Sequence, residues 1–164
     1  MKNSALYLRT IIFGINDSLV STVGFLAGIS VAGVPTATIV LTGIIYALVE
    51  AFSMAMGDFL SEESAEEYIS HSNVNDRPSI ISAILMFVSC VLASLVPLVP
   101  YIIFTSSTAL TVSIILSVVS LFIVGVVSAR FSRLPMVWRG VRMAFLGGAA
   151  IVMGVTIGMF MPVI

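Results

Sequence analysis

Residues 36–60 read TATIVLTGIIYALVEAFSMAMGDFL, and this stretch decides the fold. It is longer than the roughly 20 apolar residues a helix needs to cross a hydrocarbon core of about 30 Å. Its only formal charges are Glu50 and Asp58. A charged side chain at the bilayer centre costs about 2.5–3.5 kcal/mol on insertion scales. The stretch therefore reads as a transmembrane helix whose acids bind or relay something.

Working outward, four more apolar segments of similar length follow the same logic, at about 11–31, 80–104, 109–129 and 141–164. Only 9% of the 164 residues are charged, against about 25% in soluble domains, and the mean hydropathy is +1.19. The expectation is an all-α integral membrane protein, one domain (1–164) of five transmembrane helices. Residues 61–79 form a short acidic cytoplasmic connection. Lys2 and Arg9 precede an apolar run with no obvious cleavage site, so the first segment reads as a span and not as a cleaved signal.

The basic residues set the topology. Lys2 and Arg9 precede span one, and Arg77 lies between spans two and three. Arg130, Arg133, Arg139 and Arg142 lie between spans four and five. All seven fall on one side, which the positive-inside rule makes cytoplasmic, with the N-terminus inside and the C-terminus outside. Trp138 reads as an interfacial anchor. The four arginines near it suit topology signalling or anionic-lipid binding equally well. Pro97 and Pro100 are expected to bend or end span three.

Spans one and two form a hairpin through Gly33-Val34-Pro35, so depths along them can be compared. Asp17 lies about 9 Å from the cytoplasmic start of span one. Glu50 lies about 13–15 Å from the inner end of span two and Met54 about 7–9 Å. The three can share one site. Asp58 falls near the inner interface, either a ligand or a boundary residue that reaches water. Glu50, Met54, Asp58 and Glu62 are four apart and follow one helical stripe, the layout of an ion path. Asn16 and Ser53 are candidate neutral ligands.

Carboxylates alone suit Mg²⁺ or Ca²⁺, whereas a thioether favours softer ions such as Fe²⁺. The bland alternative for Met54 and Met56 is gap-filling between helices, the better reading for Met56. Beyond the membrane, Glu62/Glu66 and Glu63/Glu67 are like-charged i,i+4 pairs that repel unless a cation lies between them. These four form a cation-concentrating mouth or a solvated acidic turn. His71 is an i+4 neighbour of Glu67, and a lone loop histidine is usually solvated.

Cys90 is the only cysteine, which excludes an intramolecular disulfide and reads as a small buried hydrophobe. Gly24-xxx-Gly28 and Gly154-xxx-Gly158 allow close helix approach, as a dimer face or an internal contact. Ser113, Ser117 and Ser120 read as a packing stripe. No His-Glu-x-x-His, Gly-x-Ser-x-Gly or phosphate-loop pattern is present, so an enzyme is the least favoured class. Nothing points to nucleic acid.

Asn16-Asp17-Ser18-Leu19-Val20-Ser21-Thr22 and Ser53-Met54-Ala55-Met56-Gly57-Asp58-Phe59-Leu60-Ser61 resemble the first- and second-span motifs of the vacuolar iron transporter family. The Pro97-to-Tyr101 end of span three and Gly125…Ala129-Arg130 also fit. The resemblance implies a homodimer of five-span subunits moving Fe²⁺, and often Mn²⁺, out of the cytosol in exchange for protons. The pathway would lie near the dimer interface, and no cofactor would be permanently bound. Asp17 and Met54 match its intramembrane ligands, and Asp58 stands where many members have Glu. Ser18 stands where the family usually has Gly. The chain resembles compact members without the inserted glutamate-rich domain, which suggests a prokaryotic plasma membrane, or a vacuolar-type membrane in a eukaryote. A passive divalent-cation channel and a non-transporting structural subunit are the alternatives.

Overall fold

A computed structural model describes residues 2–71, 76–132 and 135–161. Five helices follow one another: α1 (Lys2–Val31), α2 (Thr36–Ser70), α3 (Arg77–Ile103), α4 (Ser106–Ser132) and α5 (Met136–Phe160). Each is long and apolar enough to cross a membrane, so the all-α five-span architecture expected from hydropathy is the one found. Arg133 and the end of span five, residues 162–164, lie outside the described residues.

Helix ends depart from hydropathy in one direction. Hydropathy marks only what lies in lipid, whereas a helix continues wherever the backbone has good helix formers. Thus α1 begins at Lys2, and α5 begins at Met136, before the arginine pair Arg139 and Arg142. The acidic run belongs to α2, which ends at Ser70. His71 then takes a left-handed conformation (φ 49°), and its N–H donates to Glu67 O at 2.9 Å. Within the 61–79 connection the acidic run is thus helical, a continuation of span two, and 71–76 lie between the helices.

Pro97 and Pro100 do not end α3 where they stand. The helix runs through both to Ile103, and both rings are fully buried. Neighbouring helices can supply the lost backbone partners inside a membrane bundle. Here Ser113 of α4 donates to Pro97 O at 2.7 Å, and Ser113 and Ser117 are buried, so the serine stripe is a packing surface.

The hub of the bundle is α1, which packs against all four other helices, most extensively against α3, and α3 in turn holds α2. In lipid, interhelical polar contacts substitute for the missing hydrophobic force. Buried Thr10 meets Ser82 at 2.8 Å, and Thr22 donates to Ser94 at 3.2 Å. These pin α1 to α3 at two levels.

Against α5, α1 uses its glycines. A methyl at Gly28 would come within 2.8 Å of Gly154 O, and methyls at Gly154 and Gly158 would collide with the carbonyls of Gly24 and Gly28. The two small-residue stripes thus face each other within one subunit, as an internal contact and not a dimer face. By comparison α1 and α2 touch little, although only a short turn separates them. The outward side of α2 carries exposed Leu41, Ile45, Leu48, Val49 and Phe52.

Candidate functional site: an acidic seam between α1 and α2

The loose packing between α1 and α2 leaves two cavities along their shared seam. One, of about 620 Å³, is lined by Asp17, Phe25, Thr42, Ile45, Tyr46, Val49, Glu50, Ser53 and Met54. The other, of about 370 Å³ and nearer the arginine-bearing end, is lined by Arg9, Thr10, Phe13, Ser53, Met54, Gly57, Asp58, Ser61 and Met86. Ser53 and Met54 belong to both. The i+4 stripe on α2 is the reason, because Glu50, Met54 and Asp58 stack along one helix face.

Geometry fixes each group differently. Glu50 Oε1 accepts a hydrogen bond from Tyr46, one turn earlier, at 3.0 Å, and the Tyr46 ring stacks on Phe25 of α1 at 4.6 Å. Glu50 Oε2 is buried without a hydrogen-bond partner, and so is Asp58 Oδ2. A buried carboxylate oxygen left unsatisfied is costly, so each is a place where a cation or a proton is stabilised. Asp58 is 9% exposed. It is a buried group that lines the smaller cavity, together with exposed Arg9, Gly57 and Ser61.

Met54 is held from behind. Cys90 of α3, fully buried, has its thiol within hydrogen-bonding reach of Met54 Sδ (3.8 Å) and of Gly14 O (3.7 Å). A methyl on Gly14 would meet Met86 Sδ at 2.9 Å and Cys90 Sγ at 3.2 Å. The bare backbone of α1 at that point makes room for two sulfur-bearing side chains, Met86 and Cys90. Cys90 is the small buried residue expected, with the added part of backing a candidate ligand.

At the mouth, Arg9 donates to Glu62 at 3.1 Å, with the arginine 69% and the glutamate 16% exposed. The cation relieving the Glu62/Glu66 repulsion is thus part of the protein. Glu63 and Glu66 are half-buried and Glu67 is exposed. Asn16 does not join Asp17, since adjacent helix positions point about 100° apart. It lines a third cavity on the far side of α1. Among the described residues, no three of His, Cys, Asp and Glu converge where they could hold one ion. One subunit offers its hard ligands singly or in pairs.

Sequence reading missed Tyr46, Arg9 and Met86. Tyr46 was within reach, four residues before Glu50 on the same stripe. Arg9 and Met86 meet the seam only through tertiary packing.

Comparison with known proteins bears directly on this arrangement. The sequence model of the VIT family, the vacuolar iron transporters, matches residues 8–80 and 66–159. The chain belongs to the VIT family. That places it among multi-pass membrane proteins that transport metal ions, iron or manganese, and not among enzymes. The two matches overlap at 66–80, across the end of α2 and the connection to α3. Among curated proteins, none matches the chain.

Proposed function

We propose that the protein is a homodimeric, proton-coupled exporter of Fe²⁺, with Mn²⁺ as a second cargo. One observation carries this reading: Met54 lines both seam cavities, with Asp17 and Glu50 in one and Asp58 in the other. Hard oxygens on both sides of a soft sulfur suit a divalent transition metal better than Mg²⁺ or Ca²⁺.

By the positive-inside rule the arginine-bearing end is cytoplasmic. The ion passes Glu62, is taken by Asp58, moves across Met54 and Ser53, and reaches Asp17 and Glu50. The unpartnered oxygens of Asp58 and Glu50 need either the ion or a proton. Protonation from the outer side releases the metal and leaves the carboxylates neutral, a form the membrane tolerates far better.

The dimer follows from ligand economy and surface. A single seam supplies too few carboxylates to surround an ion that takes about six oxygen or mixed ligands. The exposed apolar side of α2 beside Asp17 and Glu50 offers a face through which a second copy would double the set.

The experiment is Fe²⁺ and Mn²⁺ flux into proteoliposomes with and without an imposed pH gradient. Flux accelerated by the gradient in wild type, and lost in Asp17→Ala and Met54→Ala, supports the reading. Wild-type flux in both variants removes the site, and flux indifferent to the gradient means a passive channel.

A further inference from the structure

The third cavity, of about 590 Å³, lies between α1, α4 and α5 at the arginine-bearing end and contains none of the seam's carboxylates. Its rim holds Arg9, Arg139 and Arg142, and no acidic residue lines it. Arg139 is half-buried and donates to Ser128 at 3.4 Å, and both side chains line the cavity. Arg142 is exposed and has no hydrogen-bond or ion-pair partner among the described residues. Farther from the rim the walls are mostly apolar, with Phe13, Met143 and Leu146, and Asn16 is the polar side chain among them.

The polarity of the walls therefore changes along the helix axis. From Arg9 to Asn16 on α1 the rise is about 10 Å, so one end of the cavity lies at headgroup depth and the other among acyl chains. Guanidinium groups are suited to phosphate, through paired, charge-assisted N–H donors. Basic pockets between transmembrane helices are recurrent sites for phosphorylated headgroups.

We propose that this cavity is a binding site for an anionic phospholipid, with the headgroup phosphate on Arg139 and Arg142 and the upper acyl chain against Phe13 and Leu146. Charge complementarity argues for an anion, and the apolar floor argues for an amphiphile over a free phosphate. The proposal stands apart from the metal pathway, since the two cavities share only Arg9 and Phe13 and none of the carboxylates or Met54.

Trp138, the only tryptophan, is exposed and lies within about one helical turn of Arg139 and Arg142 without lining the cavity, so it reports on lipid gathered at this depth. The full chain is reconstituted in phosphatidylcholine vesicles containing increasing brominated phosphatidylglycerol or brominated phosphatidylcholine, and Trp138 quenching is followed. Each arginine near an anionic surface contributes about five-fold in local enrichment. Wild type should reach half-quenching at an at least five-fold lower fraction of the anionic lipid.

Arg142→Gln, exposed and unpartnered and so no threat to folding, should lose most of that preference. Arg139→Gln/Arg142→Gln should abolish it, and Arg130→Gln, outside the cavity, should keep it. Equal quenching by the two lipids in wild type overturns the site. An equal loss in Arg130→Gln reduces it to diffuse surface attraction and overturns it too. Loss of the preference on adding inorganic phosphate at matched ionic strength reassigns the cavity to free phosphate.

Discussion

The sulfurs of Met54 and Cys90 lie 3.8 Å apart, with Cys90 fully buried in α3 and Met54 at the junction of two cavities. A candidate ligand on one helix is thus steadied by a group on another. Supporting groups of this kind typically tune metal affinity 10–100-fold when removed. Cys90→Ala is expected to weaken half-saturation for Fe²⁺ by about ten-fold, with the helical fold intact by circular dichroism. An unchanged half-saturation would make Cys90 a packing residue only.

Met54→Leu separates chemistry from volume. The swap is close to volume-conserving and costs under about 1.5 kcal/mol in stability, yet it removes the only soft atom shared by both cavities. Fe²⁺ flux should fall about ten-fold or more while thermal stability stays near wild type. Flux equal to wild type would return Met54 to a gap-filling role.

Arg9 and Glu62 form a pair with an exposed partner, and such pairs contribute about 0–1 kcal/mol. Neither Arg9→Gln nor Glu62→Gln should shift the melting temperature appreciably. Their kinetic effects should be opposite. Glu62→Gln removes an acid at the mouth and raises the KM for metal up to about five-fold, whereas Arg9→Gln frees that acid and lowers it by a similar factor. Raised salt should shrink both effects. Changes of the same sign in both variants would rule out competition between Arg9 and the cargo for Glu62.

The α1–α5 crossing should be intolerant of bulk. Gly28→Val or Gly154→Val forces two backbones apart at a point where a methyl already clashes, and overpacking of this kind costs about 1–3 kcal/mol. Gly148 on α5 has open space around it, and Gly148→Ala should be neutral or stabilise by up to about 1 kcal/mol through helix propensity. Thermal unfolding in detergent distinguishes them, and equal stability in Gly28→Val and Gly148→Ala would remove the close contact.

The five helices were legible because lipid leaves few choices: long apolar runs must be helical and must span. The stripe on α2 was equally legible, since Glu50, Met54 and Asp58 share a face by periodicity alone. Asn16 misled because sequence adjacency to Asp17 is not adjacency in a helix. Arg9–Glu62 was hidden for another reason, as a helix continuing through 61–68 does not by itself show that Arg9 of α1 comes within reach of Glu62. The glycine stripes were visible as motifs, but choosing between a partner subunit and α5 required the packing itself.

The two seam cavities meet at two adjacent side chains, Ser53 and Met54, and of these the methionine is the bulky one. Methionine is unbranched with three rotatable bonds, and rotamer changes belong to the fast end of protein motion, whereas shifts of packed helices take microseconds to milliseconds. In the proposed pathway, transfer of an ion between the Asp58 side and the Asp17 side would be timed by side-chain torsion, with α1 still clamped to α3 and α5. The slow steps of a transport cycle built on this seam fall at its two ends, in capture and release.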